Sequence, residues 1–151
     1  MRLFVSLIFI LVSLSALACP NLAGSYSVCR SETGNEADST DVVVTQSIQN
    51  RVTVYTMTGT DDEGSRTTQT IIADGKARTE KIEDEDSGLT FELVTQASCK
   101  GQALEMKIST KLQGQNLGSV TSVTSKRGSS LVTRTTGQMM GQTIKDTVTC
   151  E

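Results

Sequence analysis

The chain has 151 residues, a formal charge of −3, four cysteines, one proline and neither histidine nor tryptophan. That length suits one domain with a single modest core. Without histidine, no Ser-His-Asp or Cys-His catalytic arrangement can form, nor any His-containing zinc site. The mildly acidic, mixed-sign balance argues against nucleic acid as a partner. No C-x-x-C pair, G-x-S-x-G, P-loop or dinucleotide fingerprint is present, so neither an enzyme nor a cofactor is expected.

The chain opens like a secretory signal. Arg2 is a short basic region, Leu3 to Leu14 is apolar, and Ala16-Leu17-Ala18 supplies a small-x-small cleavage pattern. The apolar run is too short for a membrane span. The expected domains are therefore a signal peptide over 1–18 and one β-barrel domain over 19–151. Cleavage before Cys19 places the protein outside the cytoplasm, secreted or periplasmic. Ala18-Cys19 is also the end of a bacterial lipobox, which would anchor the chain to the bacterial envelope through a lipid on Cys19; Ala16 and Leu17 do not match the rest of that pattern. Lipidation would leave Cys29, Cys99 and Cys150 as an odd set in an oxidising compartment, whereas a free Cys19 lets all four pair. The pairing expected is Cys99–Cys150 with Cys19–Cys29, and Cys19–Cys150 is the second choice.

Strand signals follow in order. Leu22 to Arg30 reads as a first strand, Ser31 to Thr40 as a polar loop, and Asp41 to Ile48 with Arg51 to Thr58 as a hairpin about Gln49-Asn50. Ser65 to Ala73 and Lys76 to Ile82 flank Asp74-Gly75, the strongest two-residue hairpin signal in the chain. Leu89 to Leu112 is a central hairpin bending at Cys99-Lys100-Gly101. Leu89, Phe91, Leu93 and Ala97 alternate with polar residues, as do Leu104, Met106, Ile108 and Leu112; this period of two marks a half-buried strand pair. Strands over Leu117–Ser125, Ser129–Thr136 and Gln142–Cys150 complete the set, separated by turns at Gln113–Asn116, Lys126–Gly128 and Gly137–Gly141. Ten short strands with close turns and no sustained helical period predict an all-β antiparallel up-and-down meander. Curling removes exposed edges, so a closed or nearly closed barrel is expected, with a β-sandwich as the other arrangement.

Two acidic runs, Asp61-Asp62-Glu63 and Glu83-Asp84-Glu85-Asp86, fall at one end of such a meander. Neither has the spacing of a calcium loop, and they read as solvated turns rather than a metal site. Gly137-Gln138-Met139-Met140-Gly141 is the one turn with an apolar tip, and its Met139 and Met140 are candidates for contact with an envelope protein partner. Tyr26, Tyr55, Phe91, Met106 and Arg134 are the candidate ligand-facing residues.

Leu22-Ala23-Gly24-Ser25-Tyr26 resembles the opening strand of lipocalins and avidins, which carry a Gly-x-Trp motif there; Tyr26 occupies the Trp position. In lipocalins an Arg on a late strand packs across that Trp, and Arg134 is the counterpart the resemblance implies. The C-terminal run of hairpins also looks like the end of a fatty-acid-binding-protein meander. The resemblance implies a lipocalin-like barrel carrying a small hydrophobic or lipidic ligand. The other class of function is a structural or adhesive envelope protein acting through protein contacts.

Overall fold

In the described chain the alternating pattern becomes ten β-strands. The computed structural model describes residues 19–34, 39–61, 63–84 and 87–151; the expected leader lies outside the described residues. The strands are β1 (Gly24–Ser31), β2 (Ser39–Gln49), β3 (Val52–Thr60), β4 (Arg66–Ile72), β5 (Ala77–Glu83), β6 (Thr90–Lys100), β7 (Ala103–Leu112), β8 (Gln115–Arg127), β9 (Ser130–Met139) and β10 (Gln142–Cys150). No helix occurs among the described residues.

All ten belong to one antiparallel sheet in the order β4-β3-β2-β1-β10-β9-β8-β7-β6-β5. The sheet curls strongly into a half-barrel. Its first and last strands, β1 and β10, are neighbours, so the two ends of the meander join. The opening falls between β4 and β5, which are consecutive in sequence.

That opening corrects the strongest hairpin signal. Asp74-Gly75 does not pair β4 with β5. Only Gly75 of the two takes a positive φ, 73°, so the two-residue turn that favours Asp-Gly is not formed. Arg78 instead clasps Asp74, donating from Nη1 to Oδ1 at 2.9 Å and from Nη2 to Oδ2 at 2.7 Å. Gly75 N–H donates to the Ala97 carbonyl at 2.8 Å, and Gln96 Nε2 donates to the Gly75 carbonyl at 2.6 Å. These bonds deliver β5 to β6 and leave β4 with β3 alone.

Elsewhere tight turns prevail. Asn50-Arg51, Gln113-Gly114 and Met140-Gly141 each place two residues in the left-handed region, as the twist of a two-residue hairpin demands. The expected loop at 137–141 is therefore shorter: β9 continues through Gly137 to Met139. Gly118 and Gly137 lie where β8 and β9 come closest. A Cβ on Gly118 would meet the Gln138 carbonyl oxygen, and one on Gly137 that of Ser119, so only glycine permits this approach.

The core collects on one face of the sheet. Leu22, Tyr26, Val42, Val44, Tyr55, Ile71, Ala97, Leu104, Leu131 and both Cys29 and Cys150 form one buried cluster. With so few aromatics, the two buried tyrosines and the disulfides carry much of the closure.

The disulfides take neither expected pairing. They are Cys19–Cys99, with Cα atoms 5.1 Å apart, and Cys29–Cys150, with Cα atoms 3.9 Å apart. The reason is the β1–β10 register, which sets Cys29 directly opposite Cys150. The segment before β1 then carries Cys19 across to β6. All four cysteines are paired, as an oxidising extracellular or periplasmic environment allows. The bridges close sequence separations of 80 and 121 residues. Loops this long are worth about 4.5–5 kcal/mol each in the chain-entropy account. Non-reducing peptide mapping should recover these two linkages. Replacing both Cys29 and Cys150 with Ser should lower unfolding free energy by about 2–4 kcal/mol in urea.

Candidate ligand-binding site

The inner face is built by register. Along β2, β3 and β4 it carries Val42 and Val44, then Met57 and Tyr55, then Gln69 and Ile71. Along β10, β9 and β8 it carries Val148 and Asp146, then Leu131, Thr133 and Thr135, then Ser122 and Thr124. Between these walls lies a cleft of about 330 Å³, whose apolar lining is Val42, Met57, Leu131 and Val148 and whose polar lining includes Thr67, Gln69 and Thr133. That volume lies at the lower end of small-ligand sites.

Hydroxyl pairs stripe the β8–β9 wall. Ser122 Oγ and Thr135 Oγ1 are 2.8 Å apart, and Thr124 Oγ1 and Thr133 Oγ1 are 2.9 Å apart. Asp146 is buried beside them. Its Oδ2 accepts from the Ser31 hydroxyl at 2.7 Å and its Oδ1 from the Thr33 hydroxyl at 2.9 Å. The Thr147 amide adds a third bond to Oδ1 at 2.8 Å. Burial by itself would raise this carboxyl, but the bonds from Ser31, Thr33 and the two backbone amides outweigh it and hold the group below its ordinary value.

A second opening lies at the other end of the half-barrel. The segment 19–23 plugs the barrel there: Pro20 and Leu22 are buried, and Cys19 is tied to Cys99. Beyond the plug is a cleft of about 740 Å³, with Ile48, Val52, Ala73 and the Cys19–Cys99 disulfide among its lining and Arg51 and Lys76 at its rim. Val44 and Tyr55 separate the two spaces, because each is buried between one residue lining the first cleft and one lining the second along its own strand face.

The sequence candidates divide. Tyr26, Tyr55 and Met106 meet at the core, but the tyrosines hold the plug. Tyr55 Oη donates to the Pro20 carbonyl at 2.7 Å, and Tyr26 Oη to the Leu22 carbonyl at 3.2 Å. Burial pushes the Tyr55 phenol up to about 12 and raises that of Tyr26, so both stay protonated donors. Phe91 shares the inner face with Met106 but is half-buried at the far end of β6, opposite Leu112 and Ile82. Arg134 is exposed and sits on the outer face, opposite Val123 and Thr147. The lipocalin-type packing of this Arg across Tyr26 is therefore not made. Met139 is half-buried, while Met140 is 76% exposed at its turn.

Val42, Met57, Leu131, Thr133 and Val148 were not among the candidates. Their signal is the inner-face parity of their strands, which only the register assigns. Of the acidic runs, Asp61 Oδ1 accepts from the Glu63 and Ser65 amides, and Asp84 Oδ1 from Ser87 N and Oγ. Among the described residues no group of metal-ligating side chains converges, and no helix is long and apolar enough to cross a membrane. No protein-family model matches the chain, and no curated protein or solved structure matches it. The fold is compatible with a lipocalin-like one on its architecture alone.

The lowered Asp146 carboxyl makes a pH prediction. Its contribution to stability is complete above the unfolded value of about 4 and is lost as pH falls through the lower folded value. Thermal melts across the acid range should show wild type losing stability more steeply below about pH 4 than Asp146→Asn. Parallel curves would reject the assignment.

Proposed function

We propose that this is a secreted or periplasmic bacterial binding protein that holds a small hydrophobic or lipidic ligand non-covalently, without catalysis. The observation carrying this reading is the inner cleft between β2–β4 and β9–β10, apolar on Val42, Met57, Leu131 and Val148. Burial of apolar ligand surface there supplies the affinity, and the threonine hydroxyls and Gln69 fix orientation. The lipocalin-like architecture supports the same role. The Cys19–Cys99 bridge favours a soluble form, since a sulfur bonded to Cys99 is closed to lipidation.

The test uses N-phenyl-1-naphthylamine, a neutral apolar fluorophore, on the purified disulfide-bonded protein. Saturable enhancement is expected. Thr133→Trp fills the cleft and should abolish it, while Thr133→Val keeps it; melts of both confirm folding. Absence of saturable binding to the folded wild type would end this reading.

Met140 supports a second reading, an envelope protein that acts through protein contacts. It stands 76% exposed on a turn whose own backbone is fixed, its N–H donating to the Leu117 carbonyl at 2.8 Å. A rigid, adaptable apolar tip suits partner contact. Replacing Met139 and Met140 with Ser should then abolish pull-down of an envelope partner at unchanged thermal stability; undiminished capture would remove this role.

A further inference from the structure

The cleft outside the plug has a different character from the inner one. Its floor is apolar, built on Ile48, Val52, Ala73 and the Cys19–Cys99 bridge. Ile48 is 77% exposed there, a cost in water that an apolar occupant would remove. The rim is cationic. Arg51 and Lys76 are both exposed, and neither side chain makes an ion pair or hydrogen bond among the described residues.

Among the described residues the one carboxylate lining this cleft is Asp74. Both its oxygens are taken by the Arg78 fork, and Oδ1 also accepts from the Lys76 amide at 3.0 Å. Its charge is answered chiefly by Arg78, with a smaller attraction to Lys76, so Arg51 and Lys76 leave the mouth with a net positive charge. Arg51 also stands at φ 66°, in the second position of a turn that glycine fills at lower strain. The tight hairpin fixes the Arg51 backbone at the mouth, and its guanidinium fork has the geometry to pair with a carboxylate or phosphate.

We infer that this cleft binds an anionic amphiphile, its alkyl part against Ile48, Val52 and Ala73 and its anionic head between Arg51 and Lys76. The site is separate from the inner cleft, walled off by Val44 and Tyr55, and does not depend on the function proposed for that cleft. The head group can belong to a free single-chain amphiphile or to an anionic lipid in a membrane surface; the chemistry is shared.

Titration calorimetry with decyl phosphate, below its micellar concentration, tests the inference. One saturable site is expected, weakened about tenfold or more by the double variant Arg51→Gln/Lys76→Gln. Lys111→Gln/Lys145→Gln, which alters cations elsewhere, should leave it unchanged. Ile48→Ser should also weaken it, and inorganic phosphate alone should bind far less tightly. Thr133→Trp, blocked only in the inner cleft, should bind decyl phosphate as wild type does. Once the site is confirmed, co-sedimentation with phosphatidylglycerol but not phosphatidylcholine vesicles, lost in the Arg51/Lys76 variant, identifies a membrane lipid as the source. Retention in solution identifies a free amphiphile. Undiminished binding by the folded Arg51/Lys76 variant, equal binding of 1-decanol, or loss only in Thr133→Trp would overturn the assignment.

Discussion

The junction of β1 with β10 is the constraint on which the half-barrel depends. It is a short ladder, with register pairs only at Cys29–Cys150, Arg30–Thr149 and Ser31–Val148. Every other neighbouring pair of strands is joined by more. The junction is reinforced out of proportion to its length. The Cys29–Cys150 disulfide crosses it, Glu32 N–H donates to the Thr147 carbonyl at 2.9 Å, and Asp146 reaches over from β10 to the Ser31 and Thr33 hydroxyls. These bonds join the two ends of the chain, and loop-closure entropy makes such a contact the costliest to form without a covalent link.

Once that junction holds, the plug has a place to sit. Segment 19–23 enters the barrel and is tied at several points: by Cys19 to Cys99, by Leu22 N–H to Gln46 Oε1 at 3.3 Å, by Tyr55 and Tyr26 to the Pro20 and Leu22 carbonyls, and by Lys126 Nζ to the Ala23 carbonyl at 2.8 Å. A buried irregular segment must satisfy its backbone groups, and these side chains do so. The consequence for function is a division of space. The plug and the Val44–Tyr55 partition leave an inner cleft with apolar and hydroxyl walls and an outer one with a cationic rim.

The open seam reflects a competition between local and distant bonding. Asp74-Gly75 has the composition of a hairpin turn, but Asp74 is engaged by Arg78 and Gly75 by both Ala97 and Gln96. The Gly75 bonds to β6, over twenty residues away, outweigh the local preference. The half-barrel consequently presents two edges, β4 and β5. Arg78, Glu80, Lys81 and Glu83 charge the β5 edge, a usual defence against edge-to-edge pairing.

The alternation of Leu89 to Leu112, the turn residues and the absence of helical period were enough to determine ten antiparallel strands in a curled meander, because strand periodicity and turn chemistry are local properties. The lack of histidine likewise settled which catalytic arrangements could not exist. The disulfide pairing was not legible, since it depends on a β1–β10 register that sets Cys29 against Cys150 and frees Cys19 for Cys99. Nor was the lining of the inner cleft: the lipocalin resemblance implies Arg134, whereas the register of β9 turns Thr133 inward and Arg134 outward. Tyr26 and Tyr55 are expected from the sequence to face a ligand, but their hydroxyls serve the Leu22 and Pro20 carbonyls. Only the tertiary structure decides which side chains meet across the barrel, because those contacts join strands that the chain itself holds far apart.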